Sequence, residues 1–260
     1  MSTTLTPSAA ASAASSAVRP AARERGASAA TLVALEIRKS LSTRSGKTLA
    51  LASALLAPGI TAVMAATSDD ELGSAAGPIG ALGLVTVLVL LAVGVLSTAG
   101  EWTHRTVQTT FLVVPQRGRV LAAKAVAVAL LGAVLAAVAA SATAGVLAVA
   151  PVGDLSWDGV PQALGVVVAA GAAFAVIGAG VGAAVANSPA ALTGLYLTVL
   201  GVMPVLRLAQ PGIAEKLDPA DAVLGLAAGH GGTTQVLVLT GWVVVSLVAG
   251  AVVTSRRAVA

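Results

Sequence analysis

The sequence predicts an all-α, polytopic membrane protein, with six transmembrane helices behind an N-terminal interfacial amphipathic helix. Three observations carry that prediction. Hydrophobic residues make up 57% of the 260 and charged residues 10%, against roughly 25% charged in an ordinary soluble domain. Six apolar stretches reach the length that a ~30 Å hydrocarbon core demands. Charge is also split: thirteen of the fifteen Lys and Arg fall beside those stretches on one side, and eight of the eleven acids on the other.

Residues 1–27 are rich in Ala, Ser and Thr, with Pro7 and Pro20. They lack the apolar core of a secretory signal, so a disordered cytoplasmic tail is expected. Residues 28–47 are read as the amphipathic helix. Ala30, Ala34, Ile37 and Leu41 recur at helical spacing, while Glu36, Arg38, Lys39 and Arg44 point elsewhere. Ser28 is the expected N-cap and Gly46 the expected stop. Such a helix ahead of a first span most simply lies in the membrane interface, apolar face down, with Ile37, Arg38, Lys39 and Leu41 as its interfacial residues; an ordinary helical lead-in with no role of its own is the alternative.

The remainder, 48–260, is the transmembrane domain. Spans are placed at 48–66, 78–99, 125–150, 162–186, 189–209 and 235–254. Pro58-Gly59 breaks the first, and Pro204 bends the fifth. Asn187-Ser188-Pro189 makes a tight turn between the fourth and fifth. Gly178, Gly180 and Gly182, with Gly80, Gly83 and Gly94, would let backbones approach closely.

Charge sets the orientation. Arg19, Arg23, Arg25, Arg38, Lys39, Arg44 and Lys47 precede the first span, and Arg105, Arg117, Arg119 and Lys124 lie between the second and third. Arg256 and Arg257 follow the sixth. The other loops hold Asp69, Asp70, Glu71, Asp154, Asp158, Glu215, Asp218 and Asp221, with Lys216 as their base. The positive-inside rule puts both termini in the cytoplasm.

Composition also excludes chemistries. A pI near 10.1 would suggest nucleic acid in a soluble chain, but here the excess base is a topology signal that attracts anionic membrane lipid. No nucleic-acid partner is expected. With no cysteine, disulfides and thiolate metal sites are excluded. His104 and His230 have no acid or second His at ligand spacing, so no metal and no catalytic residue is assigned. Gly46-Lys47-Thr48 resembles the end of a phosphate-binding loop, but Leu41 stands where its first Gly is needed. The chain is therefore not expected to bind ATP or to be an enzyme. The spans carry no ionisable group beyond Arg207 at an edge and the phenol of Tyr196. A transporter lacking midplane charge would most easily draw its energy from a partner.

One segment is distinctive. Between the second and third spans the chain runs from Glu101-Trp102 through a Thr-rich stretch to Pro115-Gln116-Arg117-Gly118-Arg119 and Lys124. Val107, Phe111 and Val114 could line one side of a short surface helix. This segment resembles the signature region of ABC-2-type transporter permeases, the membrane subunits of bacterial ATP-driven exporters. Glu101, Thr106, Pro115, Arg117, Arg119 and Lys124 stand at the matching places, with Arg105 where the family has Gly.

The resemblance implies a plasma-membrane permease whose loop 100–124 seats on a separate cytoplasmic ABC ATPase, which alone binds ATP and magnesium. A second permease copy or a paralogue would complete the translocation unit. Arg105, Arg117 and Arg119 would meet carboxylates of the ATPase and Phe111 an apolar pocket. Glu101 would pair with Arg38 or Lys39. A membrane anchor or regulatory subunit without a conduit, and a passive channel, are the alternatives with the same topology.

Overall fold

The computed structural model describes residues 28–67, 72–103, 117–150 and 153–257. Among them every regular element is helical: α1 (Ala29–Ser42), α2 (Arg44–Thr67), α3 (Ala76–Thr103), α4 (Arg117–Val149), α5 (Val160–Val185), α6 (Ser188–Ala209), α7 (Pro211–Ala214), α8 (Pro219–Ala227) and α9 (Thr233–Arg256). Six of these, α2 to α6 and α9, are long and apolar enough to cross a membrane. The chain is an all-α polytopic membrane protein, as its composition requires.

Ser28 caps α1 as expected, its hydroxyl accepting from the Thr31 amide at 3.1 Å. The helix stops at Ser42 rather than at Gly46. Thr43 is extended (φ −81°, ψ 153°), and its hydroxyl accepts from the Gly46 amide at 3.0 Å, capping α2. Gly46 thus lies inside α2. It permits the corner, since a Cβ there would stand 1.8 Å from the Ser40 carbonyl oxygen.

Pro58 does not break the first span. Helix α2 runs through it, with the ring buried against the bundle, where neighbouring helices shelter the freed carbonyl. Pro204 follows a wide π turn at Leu197–Val202. A proline clashes with the carbonyl four residues back, and the extra residue in a π turn relieves that clash.

Helices α3 and α5 form the centre, with 61% and 56% of their apolar windows buried against 17% for α9. Their approach is set by glycine. A Cβ on Gly94 would come 2.0 Å from the Ala175 carbonyl oxygen, and one on Gly178 2.1 Å from that of Leu91. Thr98 crosses the seam, donating to the Ala179 carbonyl at 2.9 Å. Gly180 faces Ser246 of α9, and Gly171 faces Ala136 of α4. The Gly-x-x-x-Gly pair Gly178/Gly182 therefore packs within the chain, against α3.

The two ends of the bundle differ. At the acidic end, Ser74 and Ser156 form an isolated bridge joining the loops before α3 and before α5. Arg207 ion-pairs with Asp218 and, at 3.4 Å, with Asp221. Asp218 also caps α8 by accepting from the Ala220 and Asp221 amides. At the basic end, α3 and α4 run well past the boundaries expected from hydropathy. At 1.5 Å per residue α4 is ~50 Å long, against a hydrocarbon core of ~30 Å.

Candidate functional site

Those overlong helix ends carry the charge. Residues 101–103 complete α3, and 117–124 are the first two turns of α4. The segment read from sequence as a loop over 100–124 is thus helical at both flanks, over 100–103 and 117–124. Its middle, 104–116, with Arg105, Thr106, Phe111 and Pro115, lies outside the described residues.

Glu101 and Lys124 meet at 2.7 Å. Their side chains are 9% and 5% exposed. Lys39 of α1 joins at 2.5 Å from the same carboxylate oxygen. Glu36, one turn back along α1, also binds the Lys124 ammonium. Lys124 also donates to the Ser97 carbonyl at 3.0 Å. Its three N–H donors therefore have three partners on two helices. Two carboxylates and two ammoniums leave the cluster electrically neutral.

The pairing with Lys39 is one of the two alternatives the sequence left open. Arg38 is exposed and takes no part in it. The face of α1 differs from the expected one. Leu32, Val33, Glu36, Ile37, Ser40 and Leu41 are half-buried, while Ala30, Ala34 and Lys39 are exposed. Lys39 nonetheless reaches around to Glu101. The stripe was misphased because alanines were counted as apolar anchors, whereas the charged Glu36 is held inward by Lys124. Arg117 opens α4, and Arg119 lies on its exposed side.

Two further contacts gather helix ends around Glu101. The Thr103 hydroxyl lies 3.3 Å from that of Ser188 at the start of α6. Arg257, just past α9, donates to the last carbonyls of α5, at Ala184 (2.8 Å) and Val185 (3.4 Å). Its guanidinium lies 5.3 Å from the Trp102 ring centre, within cation–π range. Next to the cluster, under α1, is a cavity of about 460 Å³ whose wall includes Lys39, Glu101 and the hydroxyls of Ser40, Ser45 and Ser188.

Lys124 is enclosed by its acceptors, and Glu101 is shared between two cations. Moving α1, α3 or α4 apart would expose a charge in a poorly solvated place, which costs several kcal/mol. The three elements are fastened as one unit, and both flanks of residues 104–116 belong to it.

Glu36 is the functional residue that the sequence reading missed. A signal for it existed. Of the eleven acids, only Glu24, Glu36 and Glu101 break the charge asymmetry, and two of those three are the carboxylates of the cluster. Compared with models of known protein families, the chain matches none, and no curated protein matches it.

Proposed function

We propose that this chain is the membrane-spanning permease subunit of an ATP-driven ABC transporter, an exporter of the plasma membrane with both termini cytoplasmic. It works with a separate ATPase and with a second permease copy or a paralogue. The observation that carries this reading is the ion cluster of Glu36, Lys39, Glu101 and Lys124. Among the described residues, two acids and two bases from three helices meet on the flanks of one basic segment.

In the proposed mechanism the 104–116 segment seats on the ATPase, with Phe111 as apolar anchor and Arg105, Arg117 and Arg119 meeting carboxylates. Nucleotide-driven closure of the ATPase displaces the segment. Because Glu101 and Lys124 clamp its flanks, the displacement reaches α3 and α4 undiminished, and Glu36 with Lys39 carries α1 along. From α3 it passes to α5 through the glycine seam, where close backbone contact leaves little room for slack.

A pull-down from the native membrane, with mass spectrometry and an ATPase assay, tests the proposal. The expected result is a stoichiometric soluble ATPase that is lost on Phe111→Ala with Arg117→Ala. A chain that purifies without an ATPase, or that conducts in liposomes without nucleotide, would contradict it.

A further inference from the structure

Helix α6 is regular on either side of one wide turn. Its inner half, Ser188–Tyr196, ends where the π turn Leu197–Val202 begins. The Met203 amide bonds back to the Thr198 carbonyl, five residues earlier. Pro204 follows, with no amide to give to the next turn. A proline beside a π turn is where helices kink by more than ~20°.

The two sides of that turn are held differently. The inner half is fixed to the bundle. Ala191 and Leu195 are buried in the core that α3 and α5 share, and the Tyr196 hydroxyl donates to the Leu88 carbonyl of α3 at 2.8 Å. Residues 197–209 instead pack chiefly on their neighbours along the chain. Leu197, Val205 and Leu208 are 62%, 65% and 88% exposed. Between Met203 and the α9 residues Val238 and Trp242 lies a gap of about 550 Å³, which leaves the outer half room to move.

What holds the outer half is Arg207, whose guanidinium pairs with Asp218 and Asp221. The far side of that pairing belongs to the body of the bundle. Helix α8, which Asp218 caps, packs on α3, α5 and α9, and Gln162 of α5 donates to the Leu226 carbonyl at 2.9 Å. The contact is releasable. Arg207 is half-exposed, so water can replace its partners. Asp218 would still accept from the Ala220 and Asp221 amides.

We propose that Met203–Ala209 is an arm that swings on the π turn and is latched to α8 by Arg207. Release opens the bundle at its acidic end, between α6 and α9, while the inner half of α6 stays in place. The device needs no ATPase, so it stands or falls apart from the transport reading. At 1.5 Å per residue the arm is ~10 Å long, and a swing of ~30° moves its tip by ~5 Å.

The chain has no cysteine, so spin labels can be placed in pairs on the full chain and their separation read by pulsed electron spin resonance. Leu208→Cys labels the tip, against Val63→Cys on α2 and, separately, Val236→Cys on α9, all exposed positions. Gly194→Cys against Leu51→Cys reports the inner half. With the native latch each pair should give one main distance. Arg207→Gln should add a second one, displaced by ~5 Å, from the tip to at least one reference, and leave the inner pair unchanged. Asp218→Asn loosens the latch from the other side while remaining a good helix cap, and should do the same. Adding Pro204→Ala to Arg207→Gln returns an amide to the turn and should roughly halve the second population. An unaltered tip distance in both latch variants, an equal change in the inner pair, or a second population indifferent to Pro204→Ala would each overturn the proposal.

Discussion

The bundle has an ion cluster at each end, and the two are built for different jobs. At the acidic end Arg207, Asp218 and Asp221 come from within fifteen residues of one another. Their contacts fold one connection and start α8. At the basic end Glu36, Lys39, Glu101 and Lys124 come from three helices, with up to 88 residues between partners. Each cluster sets one half-exposed cation, Arg207 at 42% and Lys39 at 43%, on a buried carboxylate. The local cluster shapes a loop, whereas the long-range one ties separate helices together and adds Lys124 as a second, buried cation.

The comparison breaks most visibly at Lys124. Lys124→Met leaves two carboxylates facing each other in the bundle, and the expected loss is ~3–5 kcal/mol, read as a fall in the thermal midpoint in detergent. Replacing all four charges with apolar residues of similar size should recover most of that stability, because matched burial of an ion cluster adds little net energy. Coupling to the partner should stay lost.

Next comes the seam between the two ends. Gly94→Val would drive a side chain into the Ala175 carbonyl, and overpacking of this kind costs ~1–3 kcal/mol. Gly100→Ala, on the same helix with open space around it, should stabilise by ~0.5–1 kcal/mol. Unequal responses of the two variants in thermal melts would locate the seam.

At the acidic end, Asp218→Ala removes a helix cap worth ~0.5–2 kcal/mol along with the partner of Arg207. Hydrogen exchange should quicken across Pro219–Ala227 while α3 and α4 keep their protection. Equal loosening of α3 would erase the distinction between the clusters. Arg257→Gln removes the contact over Trp102, worth ~0.5–1 kcal/mol, together with the guanidinium's hydrogen bonds to Ala184 and Val185. The loss should appear mainly as a change in Trp102 fluorescence.

The architecture was legible because a bilayer imposes few solutions. Length and hydropathy placed all six helices, and Asn187 caps α6 directly after α5, as the tight turn required. Helix ends were not legible. Hydropathy marks where lipid stops, while α3 and α4 continue as helices beyond that boundary, supported by packing and by Lys124. Pro58 was read as a break at a packed position; the packing is there, and it lets the helix run through the proline unbroken. Glu101 and Lys124 were singled out through a family resemblance, and their contact depends on helix register across 23 residues. Glu36 was hidden by a period that counted alanine as an anchor. Leu217 was only a loop residue, and nothing in the sequence joined its carbonyl to Trp242 of α9.

The central claim is that the Glu101–Lys124 contact carries motion between the 104–116 segment and the spans. A charge-swap cycle on the chain co-purified with the proposed ATPase tests this directly: Glu101→Lys, Lys124→Glu and the double variant, each read as ATPase activity at matched protein level. Both single variants should lose chain-dependent hydrolysis, and the double variant should regain a substantial part of it. Wild-type activity in Glu101→Lys would contradict the account, as would a double variant no better than the worse single one.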